Sequence, residues 1–221
     1  MKVDLHIHTH ASKDSLTSYR QVLLWANRRQ LGALAITDHN TIAAALALRE
    51  LSPIPIIVGE EIRTTRGEII GLFLQEEIPP DLSPAETVRR IRAQGGVVYV
   101  PHPCDRVRHS ALEPEALREI IAQVDVIEVL NARVTLSADN SQAEDLARAH
   151  HLRMGAGSDA HQGYEIGRAY VEMPPFEDAA SFVRSLSQGR VIGGLSSPLV
   201  HVGSTWAKLA KEFRAFTSFP K

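Results

Sequence analysis

A chain of 221 residues with 44% hydrophobic residues has enough apolar material for one domain or one closed α/β barrel. Its 24 basic and 26 acidic residues leave a net charge of -2, which excludes the global basic field of a non-specific nucleic-acid binder. A lone cysteine, Cys104, excludes an internal disulfide, and the absence of an 18-residue apolar run or an apolar leader points to a cytoplasmic enzyme with no membrane partner.

Val3 to Ile7 reads as a strand, because apolar and β-branched residues fill it without Gly or Pro. His6 and His8, two apart, then share one side of it. Two imidazoles on a rigid strand suit a divalent metal, although a histidine pair on a half-buried strand would look the same. Thr17 or Ser18 caps a helix to about Gln30, with Gly32 ending it. Ala33 to Thr37 is a second strand, with Asp38, His39 and Asn40 at its end. Thr41 caps a helix from Ile42 to Leu51. A third strand, Ile56 to Val58, leads into Gly59-Glu60-Glu61-Ile62. A turn over Thr64 to Gly67 precedes a fourth strand, Glu68 to Leu74.

Ser83-Pro84-Ala85-Glu86 is a helix start, and Gly95-Gly96 ends that helix. The strand Val97 to Val100 runs into Pro101-His102-Pro103, where two prolines restrict the backbone around the histidine. A helix from Pro114 to about Gln123, a strand from Val126 to Leu130 and a helix from about Ala138 to His151 follow. Met154 to His161 contains Gly157-Ser158-Asp159-Ala160-His161. A last strand over Ala169 to Met173, a helix over Phe176 to Gln188 and a terminal helix over Ser204 to Phe216 complete the chain. Strand–helix alternation predicts a parallel sheet. About seven such units without a glycine-rich dinucleotide loop favour an α/β barrel over an open sheet, with no second domain.

His6, His8, Asp14, Asp38, His39, Glu60, His102, Glu128, Asp159 and His161 all fall at or near expected strand ends. In an α/β barrel those ends share one rim, where the chemistry sits. Ten titratable groups on one rim need counter-charge or metal. Mixed imidazole and carboxylate donors suit Zn, Mn or Fe, and they exceed one tetrahedral shell, so two or three divalent ions are expected.

The order Asp-Leu-His-x-His-Thr, Ile-Thr-Asp-His-Asn, Gly-x-Glu, Pro-His-Pro, Ile-Glu-Val-x-Asn and Gly-Ser-Asp-Ala-His resembles the PHP (polymerase and histidinol phosphatase) superfamily of metal-dependent phosphoesterases. The likeness covers Met1 to about Ser197. It implies a distorted (β/α)7 barrel with a metal centre on its C-terminal rim, over a single domain 1–221 whose residues from about 198 to 221 form a helical extension. Carried over by position, it places His6, His8, Glu60 and Asp159 on one metal. Glu60 bridges to a second metal with His102 and either Glu128 or Asn131, and Asp14, His39 and His161 hold a third. His10 lies nearby as a ligand, a support for one or a substrate contact.

The implied activity is phosphoester hydrolysis by metal-activated water. Asp38 or His10 would assist proton transfer. Arg133 would bind a phosphate, with Asn131 as a further substrate contact and Lys13 and Arg106 as weaker cations for the task. Cys104 reads as a small rim residue. The chain is similar to stand-alone members acting on a nucleotide, a nucleoside bisphosphate or an oligonucleotide end, but Phe73 to Ser83 and Pro103 to Glu113 leave no room for a lid domain. A histidinol-phosphate-type phosphatase and a non-catalytic metal-stabilised regulatory or binding module are the alternatives. A C–N hydrolase on the same barrel is disfavoured, because no lysine stands at an expected strand end. Oligomeric state is open.

Overall fold

The computed structural model describes residues 1–197 and 200–217. One nine-stranded sheet runs through it. Its strands are β1 (Lys2–Ile7), β2 (Ala33–Ile36), β3 (Ile56–Thr64), β4 (Gly67–Leu72), β5 (Val97–Val100), β6 (Val126–Asn131), β7 (Arg153–Gly157), β8 (Ala169–Glu172) and β9 (Arg190–Gly193). The order is β7-β6-β5-β4-β3-β2-β1-β8-β9. The sheet curls until β1 meets the segment after β7. Ile7 and Ala160 form a parallel bridge, His8 N donates to Ala160 O at 2.9 Å, and Asp159 N donates to His6 O at 2.8 Å. This nearly closed α/β barrel is the expected fold class.

Two departures from a parallel barrel matter for function. β3 is nine residues long and turns straight into β4, which is antiparallel to both β3 and β5. Thr64 Oγ1 donates to Gly67 O at 2.6 Å and accepts from Arg66 N at 3.1 Å, closing a hairpin where a helix would otherwise follow the strand. The N-terminal end of β4 therefore lies beside the C-terminal ends of its parallel neighbours. The second departure is β8, which pairs antiparallel with both β1 and β9; β9 itself was not expected from the sequence.

The helices are α1 (Tyr19–Arg29), α2 (Ala43–Leu51), α3 (Pro84–Ala93), α4 (Pro114–Ile120), α5 (Ser137–Ala149), α6 (Ala179–Leu186) and α7 (Val200–Thr217). Ser18 caps α1 in a reciprocal box with Gln21, and Ser83 accepts from Glu86 N at the start of α3; such a cap contributes about 1 kcal/mol. α1 ends at Gln30, in the left-handed region at φ 56°, two residues before the expected Gly32. The terminal helix begins at Val200, earlier than expected. Of the expected extension over 198–221, positions 198, 199 and 218–221 lie outside the described residues. Among the described residues no helix is long and apolar enough to cross a membrane.

Strand alternation divides the core. Leu34, Ile36, Val58, Val98, Val100 and Ile127 pack with α1 to α5 through Val22, Ala26, Leu48, Ile91, Leu117 and Ala147. Ala33, Ala35, Ile57, Val97, Tyr99 and Val126 lie on the other face with Val3, Leu5 and Ala156, where α6 adds Phe182 and Leu186. Tyr99 spans this second cluster and donates its hydroxyl to Glu128 Oε1 at 2.9 Å. Apolar burial thus ends where the polar rim begins.

β7 comes closest to β1 at Gly157. A Cβ there would run into His6 Cβ and Glu128 Oε1. Gly157→Ala is expected to destabilise the fold by about 1–3 kcal/mol through overpacking. Urea denaturation checks this, and an unchanged midpoint would show that His6 can retreat freely.

Candidate active site

β1 supplies the centre of the site. His6 Nδ1 lies 3.1 Å from Glu128 Oε1. His8 Nδ1 lies 3.1 Å from Ser12 Oγ. The Ser12 hydroxyl gives its own proton to Asp38 Oδ1 at 2.5 Å, so it accepts from His8. Each imidazole thus keeps its proton on Nδ1 and directs a lone pair outward from Nε2. The two Nε2 atoms are only 3.1 Å apart. Two lone pairs at that distance repel unless a cation or a further proton stands between them.

Glu61 closes the cluster. Its Oε2 lies 3.5 Å from His6 Nε2, 3.3 Å from His8 Nε2 and 3.1 Å from His39 Nδ1. Its Oε1 lies 3.2 Å from His102 Nε2. One carboxylate therefore bridges four histidines. Asp159 adds Oδ1 at 3.7 Å from His6, 3.4 Å from His8 and 3.5 Å from His161. Asp14 stands between His161 Nε2 at 3.4 Å and His39 Nε2 at 3.6 Å. Glu68, from the reversed β4, reaches His39 at 3.7 Å and His102 at 3.9 Å.

The electrostatics of this cluster call for positive charge. Burial works against ionising the carboxyl of Glu61, yet His6 and His39 hold it well below its ordinary range. Burial opposes Asp159 in the same way, and Arg108 and His6 outweigh it. Burial also disfavours a charged His8, but hydrogen bonds to Asp159 and Glu61 push it up to about 9. His161 goes the other way, to about 3, because burial and the neighbouring His8 disfavour its cation. The carboxylates draw protons onto the imidazoles because a buried anion needs a cation beside it.

Among the described residues, three groupings have donor atoms within 4.8 Å of one another: His6, His8 and Glu61; His8, His39 and His161; His39, Glu61 and Glu68. Asp14 Oδ1, Asp159 Oδ1 and His102 Nδ1 are buried without a hydrogen-bond partner, and the first two face the histidines. Imidazole nitrogens and carboxylate oxygens in this mixture fit divalent ions such as Zn, Mn or Fe. His102 and Asp159 sit at positive φ, 30° and 52°. Non-glycine residues adopt such angles at a cost that the surrounding contacts must offset, and the cost is characteristic of functional sites.

Several expected residues have other places. Glu60 points away from the cluster, and its Oε2 accepts from Ile78 N at 2.9 Å. Because β3 continues through 60 and 61, adjacent side chains take opposite faces, and Glu61 is the one turned inward. Both faces of β3 are buried, so hydrophobic alternation could not reveal the parity. Glu128 stands behind His6: it receives His6 Nδ1, Tyr99 Oη, His102 N at 2.8 Å and Asn131 Nδ2 at 2.9 Å. Asn131 also donates to Asp159 Oδ2 at 3.1 Å, so its amide holds carboxylates and does not face a ligand. Asp38 accepts from Thr9 N, Ser12 N and Ser12 Oγ on Oδ1 and from Thr9 Oγ1 on Oδ2, so it is engaged by the loop after β1 and stands behind His8. His10 is exposed and packs its ring against Tyr19, 4.7 Å between centroids, outside the cluster. Arg106 pairs with Asp139. Cys104 is half-buried and outside the cavity beside the site.

That cavity holds about 500 Å³ and is bordered by Asp14, His39, Glu68, Asp159 and His161 on the acidic side. Lys13, Arg63, Arg108, Arg133 and Lys208 also line it. Arg133 is buried, 3.4 Å from Glu165. Arg108 donates Nη1 to Asp159 Oδ2. Glu68, Arg108 and Lys208 escaped the sequence reading. Glu68 opens an antiparallel strand, and the two cations lie on a loop and on the terminal helix, away from any strand end.

A nearly closed α/β barrel is also the fold of a solved protein described as containing a PHP-like metal-dependent phosphoesterase. A model of the PHP-associated family matches residues 138–191. An uncharacterised protein of Methanocaldococcus jannaschii is 38% identical over 175 residues, covering 78% of this chain and 70% of the relative. The chain belongs to the PHP superfamily. A probable phosphatase of Yersinia enterocolitica is 27% identical over 199 residues, 75% of this chain and 80% of the relative. The fold is shared with a two-domain protein from Bacteroides vulgatus containing a predicted PHP-like metal-dependent phosphoesterase, at a TM-score of 0.67 and 19% identity. That alignment covers 88% of this chain and 65% of the other, so this chain spans less than two thirds of it.

Glu60 gives a pH test of its burial on the face away from the cluster. Burial, with Glu77 nearby, pushes its carboxyl up from 4.5 to about 7. The folded state then keeps a proton that the unfolded chain releases near 4.5, so this group's contribution to stability is full below 4.5 and is lost as pH rises through 7. Glu60→Gln keeps an acceptor for Ile78 N and removes the titration. It is expected to be about 1–3 kcal/mol more stabilising at pH 8 than at pH 5, read from urea melts. A gain independent of pH would show that Glu60 is not held neutral.

Proposed function

We propose that this chain hydrolyses a phosphoester bond using divalent metal ions held by His6, His8, Glu61, Asp159, His102, His39, Asp14 and His161. The observation that carries the reading is the pair of Nε2 lone pairs 3.1 Å apart, both Nδ1 protons being committed elsewhere, with Glu61 beside them. Bound there, such ions supply an acidified water and a Lewis acid for phosphate oxygens. The whole chain, 1–221, is read as one barrel domain.

The protein's own groups divide the work. Glu128 and the Asp38–Ser12 pair fix the tautomers of His6 and His8, keeping both lone pairs on the site. Arg108 and Asn131 occupy Asp159 Oδ2 and leave Oδ1 to face the histidines. Arg133 and Lys13 border the cavity and offset phosphate charge, Arg133 with a guanidinium already fixed by Glu165 and α7. His161, held neutral, presents a lone pair beside Asp14.

A cavity of about 500 Å³ with five cationic side chains exceeds what one small phosphate needs. This supports a nucleotide, a nucleoside bisphosphate or an oligonucleotide end as substrate. The neutral-to-acidic overall charge fits a short end more than a long nucleic-acid track.

The test is manganese-dependent phosphate release from nucleoside monophosphates, nucleoside 3′,5′-bisphosphates, histidinol phosphate and a short 5′-phosphorylated RNA. Chelator is expected to abolish release. Asp159→Asn and Glu61→Gln are expected to lower it by about 100-fold or more and to lower bound metal, while Glu60→Gln retains both within a few-fold. Metal bound stoichiometrically with no release from any substrate would overturn the hydrolase reading in favour of a metal-stabilised binding module. Release from histidinol phosphate alone would move the substrate away from nucleotides.

A further inference from the structure

Helix α7 lies against the site with an unusual face. Val200, Ser204, Ala207, Lys208 and Lys211 recur at spacings of three and four, so they form one stripe along the helix. Val200 and Ala207 are buried, which shows that this stripe faces the barrel. Trp206 and Leu209, on the other side, are 66% and 56% exposed. Among the described residues, the helix therefore sets Ser204, Lys208 and Lys211 beside the buried Val200 and Ala207 on its barrel side and leaves Trp206 and Leu209 exposed. Hydrophobic burial alone does not account for polar side chains on the barrel side.

Each inward polar residue meets the rim. Ser204 Oγ accepts from Arg133 Nη2 at 2.6 Å, and Val200 O accepts from the same guanidinium at 3.1 Å. Lys208 Nζ lies 3.6 Å from Asp14 Oδ2. Lys211 Nζ donates to His10 O at 2.6 Å and to Ser12 O at 2.5 Å, on the loop that carries Asp14. Ser204 and Lys208 both border the cavity, whereas Lys211 does not.

We propose that helix α7 forms a wall of the substrate pocket, in which Lys208 is a substrate-binding cation for a phosphate group and Lys211 is a strut that positions it. The assignment rests on the phosphoesterase reading and deepens it. Lys208 sits 48% exposed on the cavity side, with its charge over the Asp14–His39–His161 edge. An ammonium there is a compact, mobile point charge that can move from a carboxylate to an incoming phosphate oxygen. Lys211 instead ties the helix to two backbone carbonyls, contacts that a substrate does not replace. A pocket with this wall contributes charge to one phosphate beyond what Arg108 and Arg133 supply, which favours a terminal monoester dianion over a diester monoanion.

The experiment uses the full chain loaded with manganese, and compares Lys208→Gln, Lys208→Arg and Lys211→Gln. Affinity for inorganic phosphate is measured by calorimetry, KM and kcat on the best monoester, and metal content by elemental analysis. Lys208→Gln is expected to weaken phosphate binding and raise KM by about 10-fold, with kcat within about threefold. Lys208→Arg is expected to recover most of that loss, and Lys211→Gln to show the same direction at smaller size. Metal content is expected to stay unchanged in all three. Phosphate affinity within about twofold of the parent in Lys208→Gln would overturn the proposal, as would loss of metal or failure of Lys208→Arg to rescue. Phosphate binding that depends on Lys208 in a chain that turns over nothing would sink the hydrolase reading alone. Turnover with Lys208-independent phosphate binding would sink this proposal alone.

Discussion

The structure depends on one electrostatic constraint: Glu61 and Asp159 are buried carboxylates in a ring of imidazoles. Taking a carboxylate out of water costs several kcal/mol unless a cation or a set of donors compensates. The protein answers by converging histidines from β1, from the end of β2, from the loop after β5 and from the loop after β7. The backbone accepts positive φ at His102 and Asp159 to bring their side chains in. Such angles persist only where neighbouring contacts hold them, and Glu128 receiving His102 N and His6 O receiving Asp159 N are two of those contacts.

A second ring of polar groups serves the first. Asp38 never faces the cluster, yet four hydrogen bonds from Thr9 and Ser12 make it the anchor that sets the His8 tautomer. Glu128 does the same for His6 and is itself held by Tyr99, whose ring belongs to the apolar core. Core packing and the orientation of His6 are therefore linked through the Tyr99 phenol. Asp4, deeper along β1, receives Ser158 N and Gly167 N at 2.9 Å and 2.8 Å and keeps the sheet closed below the site. Anions that do not face the rim thus fix those that do.

Charge is dense around the cavity. Asp14, Glu68 and Asp159 border it with His39 and His161, and Lys13, Arg63, Arg108, Arg133 and Lys208 border it as well. Net charge near zero hides this concentration of both signs, which meet where Arg108 donates to Asp159 and Lys208 stands 3.6 Å from Asp14. The loop after β5 brings Arg108, and α7 brings Ser204 and Lys208, so the basic wall is assembled from segments remote in sequence from the histidines.

The sequence by itself determined the barrel class and most of the convergent histidines. Strand–helix alternation is local, and His6-x-His8, Asp38-His39, Pro101-His102-Pro103 and Asp159-x-His161 sit where apolar runs stop. Such signals survive because a strand's period and a proline's restriction act on neighbouring residues. Only the tertiary structure decided between Glu60 and Glu61, because both faces of β3 are buried and parity leaves no trace in hydrophobicity. It also decided that Asp38, Glu128 and Asn131 stand behind the histidines and Asp159, since hydrogen-bond partners come from other strands. Glu68 entered through the antiparallel sense of β4, which pairing with β3 and β5 sets. Arg108 and Lys208 entered through a loop and a helix whose placement over the rim is a long-range contact, and no local pattern encodes such a contact.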